Sequence, residues 1–189
     1  MANKVKFGLS NVHIAPITST SGSSYTYDTP FAVKGAVNLT LDPEGDSADF
    51  YGDNTKYFTD AANQGYTGSL EIAMITDEFR TKILGESTDT NGAMTESSDD
   101  TIKDFALGFQ INGDKANRKF WLYSVSAKRP STASKTIEKS KEPVTDTLNI
   151  TATPRLSDNK VRTFLEKSDD NETAYNGFFS QVYEPVTSG

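Results

Sequence analysis

The sequence predicts a mostly β, α+β fold, built as an antiparallel β-sandwich or split barrel with one short helix after the central strands and a C-terminal helix. Short stretches in which apolar and polar residues alternate recur along the chain, separated by turn residues, as is typical of antiparallel sheets. Hydrophobic residues make up 35% and aromatic residues 11% of the chain, which favours a thin β-rich body with long polar loops over a disordered chain. A length of 189 residues fits one domain, residues 1–189.

The strongest alternating run begins at Phe105 and ends at Ile111, and every second side chain in it is large and apolar. Asn112-Gly113 follows, a pair that favours a two-residue hairpin turn because both residues tolerate positive φ. Asn91-Gly92 is predicted to form another hairpin tip on the same grounds. The predicted strands cover residues 5–14, 37–41, 69–74, 105–111, 119–128 and 147–153.

The return strand predicted after Asn112-Gly113 is unusual because both of its faces are apolar. Phe120 and Leu122 lie on one face. Trp121, Tyr123 and Val125 lie on the other. A strand that is apolar on both sides is covered on both sides. We expect the cover to be either a helix of the same chain or a neighbouring subunit.

Two segments are predicted to be helical. The first, residues 76–85, begins at Thr76 as a capping residue and ends at Gly85, which suits a left-handed C-terminal stop. The second, residues 172–183, stops before Pro185 and carries aromatic and apolar residues at helical spacing.

Three segments are predicted to be long loops or extended hairpins: residues 15–32, 42–66 and 130–146. The last of these is polar and basic. Long structureless loops in a small domain are usually functional or disordered. A protein whose loops become ordered against neighbouring subunits would need several of them, so this organisation indicates an assembly subunit.

The formal net charge of −7 argues against nonspecific nucleic-acid binding, which needs a basic surface. The charge is also unevenly placed. Residues 42–104 carry four basic and fifteen acidic side chains, whereas residues 105–164 carry eleven basic and five acidic ones. This pattern indicates either faces of opposite sign, which would steer head-to-tail association, or local charge that folding averages out.

The sequence contains no residue pattern that indicates catalysis. There are no cysteines, which excludes disulfides, thiolate metal sites and cysteine nucleophiles. His13 is the only histidine and is interpreted as an ordinary strand residue between Val12 and Ile14. We therefore expect no catalytic residue, no metal and no cofactor. Neither a secretory signal pattern nor 18 consecutive apolar residues occurs, so no membrane association is expected.

A collinear series of short motifs resembles the major tail proteins, or tail tube proteins, of long-tailed phages of Gram-positive bacteria. The series spans nearly the whole chain, and its specificity lies in its order, since no single motif is mechanistic. It consists of residues 3–13, 15–17, 35–45, 50–54, 63–68, 77–80, 84–85, 128–131, 135–136, 147–155, 175–179 and 182–183.

The resemblance implies a structural virion protein of a siphophage tail, made in the host cytoplasm, that self-assembles into hexameric rings stacked as a hollow tube for genome ejection. It implies a tail-tube-like body in which the inner sheets of six subunits join around the channel, without a C-terminal immunoglobulin-like domain. The expected partners are copies of the same chain, a tape-measure protein, a tail-tip or distal tail protein and a tail terminator. DNA would pass through the lumen without specific binding.

Within that picture, an acidic lumen would repel DNA phosphates. Asp49, Asp53 and Glu71 are the candidates for the lumen-facing acids. The assembly contacts are expected in residues 42–66 and 130–146 and on the outer face of strand 119–128. The candidate interface residues are Trp121, Tyr123, Val125, Lys135, Lys139 and Lys141.

Two other functions are compatible with the sequence. A secretion-system tube protein would share the stacking β-ring architecture but would deliver effectors in place of DNA. A monomeric β-sandwich that binds carbohydrate would need a concave face of exposed aromatic residues. Trp121 and Tyr123 are the residues that could supply such a face.

Overall fold

The computed structural model describes residues 8–21, 24–45, 47–52, 55–113, 117–136 and 144–186, with the backbone alone at residues 21, 47–52 and 56–61. The strands are β1 (Leu9–Ser21), β2 (Ser24–Tyr27), β3 (Phe31–Ala32), β4 (Ala36–Glu44), β5 (Ser47–Gly52), β6 (Thr55–Ala61), β7 (Gly65–Ile72), β8 (Ser87–Thr88), β9 (Met94–Thr95), β10 (Phe105–Ile111), β11 (Lys119–Ala127), β12 (Asp146–Ala152) and β13 (Arg162–Leu165). The helical elements are α1 (Asp77–Phe79), the π-helical turn that continues it (Arg80–Leu84), a 3-10 turn (Asp169–Asn171) and α2 (Glu172–Asn176). The predicted mostly β fold is confirmed.

The main sheet is antiparallel and open, not a closed barrel. Its strands run in the order β2-β1-β10-β11-β12-β7-β4, with β3 added to β1 and β13 added to β11. Strand β11 is long enough to hold two partners on one edge: β13 pairs with its first half, from Lys119 to Leu122, and β12 pairs with its last residues, from Val125 to Ala127.

One face of the curved sheet encloses the inner core. Alternate residues of the central strands point into it, as the period of two requires. The helix α1 and its π-helical continuation close one end with Phe79, Ile83 and Leu84, and the Phe79 ring meets the Phe105 ring edge-on at 5.9 Å. The other main members are Val12, Ile14, Phe31, Val33, Leu70, Ile72, Ile75, Leu107, Phe109, Leu122, Val125, Leu148 and Ile150.

The opposite face of β1, β10 and β11 carries a second apolar layer, the outer cluster. It is covered by the C-terminal segment, residues 172–186, which packs across these strands. Its buried members are Ala15, Ala106, Trp121, Tyr123, Phe178 and Val182. The sheet is therefore sandwiched between the inner core and a strap of its own chain.

Val125 is on the face opposite to the predicted one. Strict alternation would put it with Trp121 and Tyr123, but it belongs to the inner core. The cause is a β-bulge: Phe105 pairs with Val125 and Leu107 pairs with Leu122, so β11 has one extra residue over this stretch. An extra residue shifts the alternation by one, which turns Val125 inward.

The first predicted helix is confirmed with both of its ends. The Thr76 hydroxyl accepts a hydrogen bond of 3.3 Å from the Phe79 N–H, as an N-cap does. Gly85 ends the π-helical turn with a φ of 82°, in the left-handed region. The predicted residue types at both ends were correct, although the second half of the element is wider than an α-helix.

The C-terminal helix is shorter than predicted. It ends at Asn176, and a series of turns follows from Gly177. The Phe178 carbonyl, which a longer helix would bond internally, instead accepts the Trp121 indole N–H at 2.8 Å. Packing of the aromatic residues on the sheet thus overrides the helical periodicity of the sequence.

The two predicted turns differ in outcome. Around Asn91-Gly92, Thr88 pairs with Met94 and Gly92 has a φ of 85°, so the hairpin tip is confirmed. Around Asn112-Gly113 the prediction is wrong, because Gln110 pairs with Lys119 and the connection therefore covers residues 112–118. A two-residue turn there would need a pairing four residues earlier on the return strand.

Two of the three predicted long segments are hairpins. Residues 15–32 hold the end of β1 and its pairing with β2 and β3. Residues 42–66 hold β5 and β6, which pair with each other from Ser47 opposite Ala61 to Gly52 opposite Thr55. In the third segment the described residues, 130–136 and 144–145, contain neither helix nor strand.

Candidate functional site

The main sheet ends in two strands with an open edge. Among the described residues, strand β4 pairs with β7 alone, and β2 pairs with β1 alone. The side chains of Asn38, Thr40 and Asp42 on β4 are exposed. Pro43 lies in the same strand, a position that proline tolerates only at an edge. An open edge offers unpaired backbone N–H and C=O groups to another strand.

Strands β4 and β7 continue beyond the main sheet as a hairpin arm formed by β5 and β6. Glu44 pairs with Gly65, and the Gln64 N–H donates to the Glu44 carbonyl at 2.9 Å at the base of the arm. Within the described part of the chain, β5 and β6 form a sheet of their own. The arm is therefore not part of the main sheet.

Of the three predicted lumen acids, Glu71 and Asp49 lie on different sheets. Glu71 lies between the inward-facing Leu70 and Ile72, so its half-buried side chain points to the outer face of the sheet, where it accepts a hydrogen bond from the Thr145 hydroxyl. Asp49 lies on β5 opposite Thr59, in the separate arm. Asp53 lies outside the described residues.

Trp121, Tyr123 and Val125, which were predicted to contact a neighbouring subunit, are buried within the molecule. All three side chains have 0% of their surface exposed. Trp121 and Tyr123 are covered by the C-terminal segment of the same chain, and Val125 points into the inner core. Of the two covers that the sequence left open, the chain's own C-terminal segment is the one found, and no aromatic platform for carbohydrate is exposed at Trp121 or Tyr123.

No family model matches this chain, and no curated protein matches it. Its function must therefore be inferred from its own residues and surfaces.

Lys135 is exposed on a segment without regular structure, whereas Lys139 and Lys141 lie outside the described residues. The start of this basic segment is fixed by Arg129. Its guanidinium lies 3.2 Å from the Glu96 carboxylate and 3.7 Å from that of Asp100, and Nη2 donates to the Leu84 carbonyl at 3.4 Å. Residues 131–136 are all exposed beyond this anchor.

A buried carboxylate links this anchor to the helix. Glu86 is only 6% exposed and lies 3.2 Å from the Arg80 guanidinium and 3.8 Å from that of Arg129. The pairs that Arg129 makes with Glu86, Glu96 and Asp100 join the acidic middle of the sequence to the basic stretch that follows it. Part of the uneven charge is thus neutralised inside the molecule, as the second of the two interpretations of the charge pattern predicts.

Arg155 is the centre of a network that the sequence did not reveal. Its side chain is 4% exposed, lies 4.1 Å from the centre of the Tyr123 ring and donates to Asp158 at 2.6 Å and 3.0 Å. It also forms a two-point pair with Glu184 of the C-terminal segment, with one contact at 3.0 Å. Burial alone would lower the pKa of Arg155, but its hydrogen bonds to Glu184 and Asp158 raise it. The guanidinium therefore stays charged and fastens the strap.

His13 and Lys119 hold the start of the strap. The His13 ring stacks on the Phe179 ring at 4.7 Å with an angle of 8° between the planes. Lys119 is 9% exposed, donates to the Tyr175 carbonyl at 2.6 Å and lies over the Tyr175 ring at 4.1 Å. Burial lowers the pKa of Lys119. The only histidine therefore has a packing role.

The described residues contain no group of three or more His, Asp or Glu side chains placed to hold a metal ion. Among the same residues, no helix is long and apolar enough to cross a membrane.

Proposed function

We propose that this chain is a structural subunit of a phage tail tube, which assembles with copies of itself into hexameric rings that stack around a channel for DNA. The observation that carries the proposal is the main sheet, whose terminal strands β4 and β2 each have an unpaired edge in the part of the chain that the structure describes. The motif series that resembles major tail proteins supports it independently, because it runs in order through nearly the whole chain.

The open edges suit a ring because a ring joins two different surfaces of neighbouring copies. Strand β4 offers nine residues, and β2 offers four. Backbone pairing between such strands would extend each sheet into the next copy, as strand addition does in other assemblies. The hairpin arm of β5 and β6 supports stacking, since it leaves the main sheet and is free to reach a copy in the next ring.

The direct test is negative-stain electron microscopy of the purified full chain over a range of concentrations, with size-exclusion chromatography alongside. The proposal expects rings or tubes with an open channel, growing with concentration. A protein that remains monomeric at every concentration, with and without added tail-tip protein, contradicts it. A carbohydrate-binding monomer would give that second result.

The acidic lumen is a separate part of the proposal. Replacing Asp49, Asp53 and Glu71 by Lys should leave tubes intact and slow genome ejection, because a basic wall attracts DNA phosphates. The matched control replaces Asp169 and Asp170, two exposed acids near the strap, by Lys. Equal ejection rates for the two variants would contradict the assignment of the three acids to the lumen.

A further inference from the structure

Leu156 is displayed on a turn whose conformation is fixed by many polar contacts. The turn, residues 155–160, is closed by the Arg155 N–H, which donates to the Lys160 carbonyl at 3.0 Å, and by the Asn159 N–H, which donates to the Arg155 carbonyl at 2.9 Å. The Leu156 N–H donates to the Tyr25 hydroxyl at 3.2 Å. At the tip, the Leu156 side chain is 88% exposed.

Because this turn is rigid, the exposed Leu156 differs from an exposed leucine on a mobile loop. A single exposed apolar residue on a mobile loop is ordinary. Here the buried Arg155 guanidinium, clamped by Asp158 and Glu184, fixes the backbone that carries Leu156. A contact made by such a side chain requires little additional ordering, which is the property of an interface anchor.

The same chain has a groove of about 560 Å³ on the open side of the inner core, lined by both apolar and polar residues. It lies where β1 and β4 approach without pairing, at the end of the sheet opposite α1. Val37 on its wall is 55% exposed. The groove is lined by Gly8, Leu9, Val37, Asn38, Leu39, Leu41, Phe109, Ile111, Phe120 and Arg162.

The charges beside the two features are complementary. Arg155 is almost completely buried beneath the turn, whereas its partner Glu184 has 51% of its side chain exposed. Asp158 is 30% exposed and also pairs with Lys160. Beside Leu156 the most exposed charge of the Arg155 network is thus the Glu184 carboxylate, ahead of Lys160 at 40%, whereas the charged residue of the groove is Arg162. Opposite charges at the rim favour one orientation of approach.

We propose that Leu156 of one copy inserts into this groove of a second copy, with Glu184 of the first beside Arg162 of the second. The two surfaces lie on opposite sides of β11: the turn bonds to Tyr25 next to the outer cluster, and the groove opens from the inner core. A contact between two different patches repeats from copy to copy. The inference rests on the proposed self-assembly and names one of its contacts.

Cysteine cross-linking tests the contact cleanly because the chain has no cysteine of its own. Full-length Leu156→Cys protein is mixed with Val37→Cys protein under mild oxidation. The expected product is a disulfide-linked dimer of the two variants, and a chain carrying both substitutions should give a ladder of larger species. The control replaces Leu156→Cys by Met74→Cys, since Met74 is also apolar and 71% exposed but lies elsewhere.

The outcomes separate this contact from the proposed function. A dimer yield at least tenfold above the Met74→Cys control supports the contact, and thermal melting of each variant shows that it is folded. If the dimer yield equals that of the Met74→Cys control and the protein still forms tubes, the contact is contradicted and the proposed tube function is not. A protein that forms neither cross-links nor tubes overturns both. Cross-links without tubes support the contact and contradict the tube.

Discussion

The indole N–H of Trp121 donates a hydrogen bond of 2.8 Å to the carbonyl oxygen of Phe178. The bond joins the centre of the sheet to the strap, across 57 residues of sequence. Both side chains are fully buried in the outer cluster. A second bond of the same kind runs from the Tyr123 hydroxyl to the Tyr183 carbonyl at 3.0 Å. Each aromatic residue thus buries apolar surface and satisfies a carbonyl of the strap.

Trp121→Phe should destabilise the fold because it leaves the Phe178 carbonyl buried without a donor. The expected loss is about 1–3 kcal/mol in the free energy of unfolding, the usual cost of an unsatisfied buried group, with a further loss from the smaller ring. Urea denaturation followed by fluorescence of the tyrosines or by circular dichroism measures it. Phe164→Leu is the control, because the Phe164 side chain is 51% exposed; an equal loss there would contradict the role of the bond.

The sequence predicted the elements whose signal is local. The alternation from Phe105 to Ile111 required a strand, and Thr76 and Gly85 marked both ends of the first helix because capping depends on neighbouring residues. The double apolar character of β11 correctly predicted a cover on both faces. Its identity could not be predicted, since a buried aromatic side chain gives no indication of which segment buries it.

The features that were missed depend on contacts between distant residues. The bulge that turns Val125 inward follows from the pairing with β10 and leaves no mark on the alternation of β11 itself. The network of Arg155 includes Asp158, three residues away, but it also joins Tyr27 and Glu184, which lie 128 and 29 residues away. A Pro-Arg pair before a turn is too common a pattern to indicate a buried charge.

Arg155→Lys should loosen the strap although the charge is kept. A lysine cannot donate to Asp158 and Glu184 together or stack flat on the Tyr123 ring. The expected loss is about 1–3 kcal/mol of unfolding free energy, with faster proteolysis after residue 172. Limited proteolysis with mass spectrometry detects the release. Arg162→Lys is the matched control on an exposed strand, and equal sensitivity of the two variants would argue against the clamp.

Alkaline pH should destabilise the protein through Tyr27. Burial raises the pKa of Tyr27 from its ordinary value of 10.0 to about 12, against the opposing effect of Arg155. The folded state therefore holds the proton more tightly than the unfolded state does. This contribution to stability is complete below pH 10 and is lost as the pH rises towards 12.

The measurement is the free energy of unfolding in urea at several pH values from 9 to 12. Tyr27→Phe should flatten the decline in this window, leaving the part due to Tyr123, whose pKa is also raised by burial. Lys119 has the opposite effect on the pH dependence of the unfolding free energy, because burial lowers its pKa. An unchanged slope in Tyr27→Phe would contradict the assignment.

Acid pH should destabilise the protein through protonation of Asp158. Partial burial raises its pKa, but hydrogen bonds from Arg155 and Lys160 outweigh this and lower it to about 2. The stability that this pair contributes is complete above the unfolded value of 3.8 and is lost as the pH falls to about 2. Asp158→Asn should reduce the decline of unfolding free energy between pH 4 and 2, relative to the exposed control Asp169→Asn. A decline of equal size in both would exclude Asp158 as its source.

Gly108→Ala should disturb the outer cluster from the sheet side. A Cβ atom at Gly108 would lie 2.9 Å from two atoms of the Trp121 ring and 3.0 Å from the Phe179 ring. Both rings are held by other contacts, so they cannot move without loss. The expected cost is about 1–3 kcal/mol, the range for overpacking a core, and thermal melting with an aromatic circular dichroism signal reports it.

Gly177→Ala is the control, because its Cβ would lie 3.4 Å from the nearest atom, the Thr173 carbonyl oxygen. A loss confined to Gly177→Ala would contradict the packing argument.

Deleting residues 131–141 should abolish tubes and leave the fold intact. The described part of this segment, residues 131–136, is exposed, and the chain is anchored on either side by Arg129 and by Asp146, whose carboxylate accepts the Ile75 N–H at 2.9 Å. The melting temperature should therefore change little, while electron microscopy shows no tubes.

A full-length variant with Lys135, Lys139 and Lys141 replaced by Ser separates charge from length. Tubes lost in both variants would assign the contact to these lysines, tubes lost only on deletion would assign it to the segment's backbone, and normal tubes from the deletion would remove the segment from the interface.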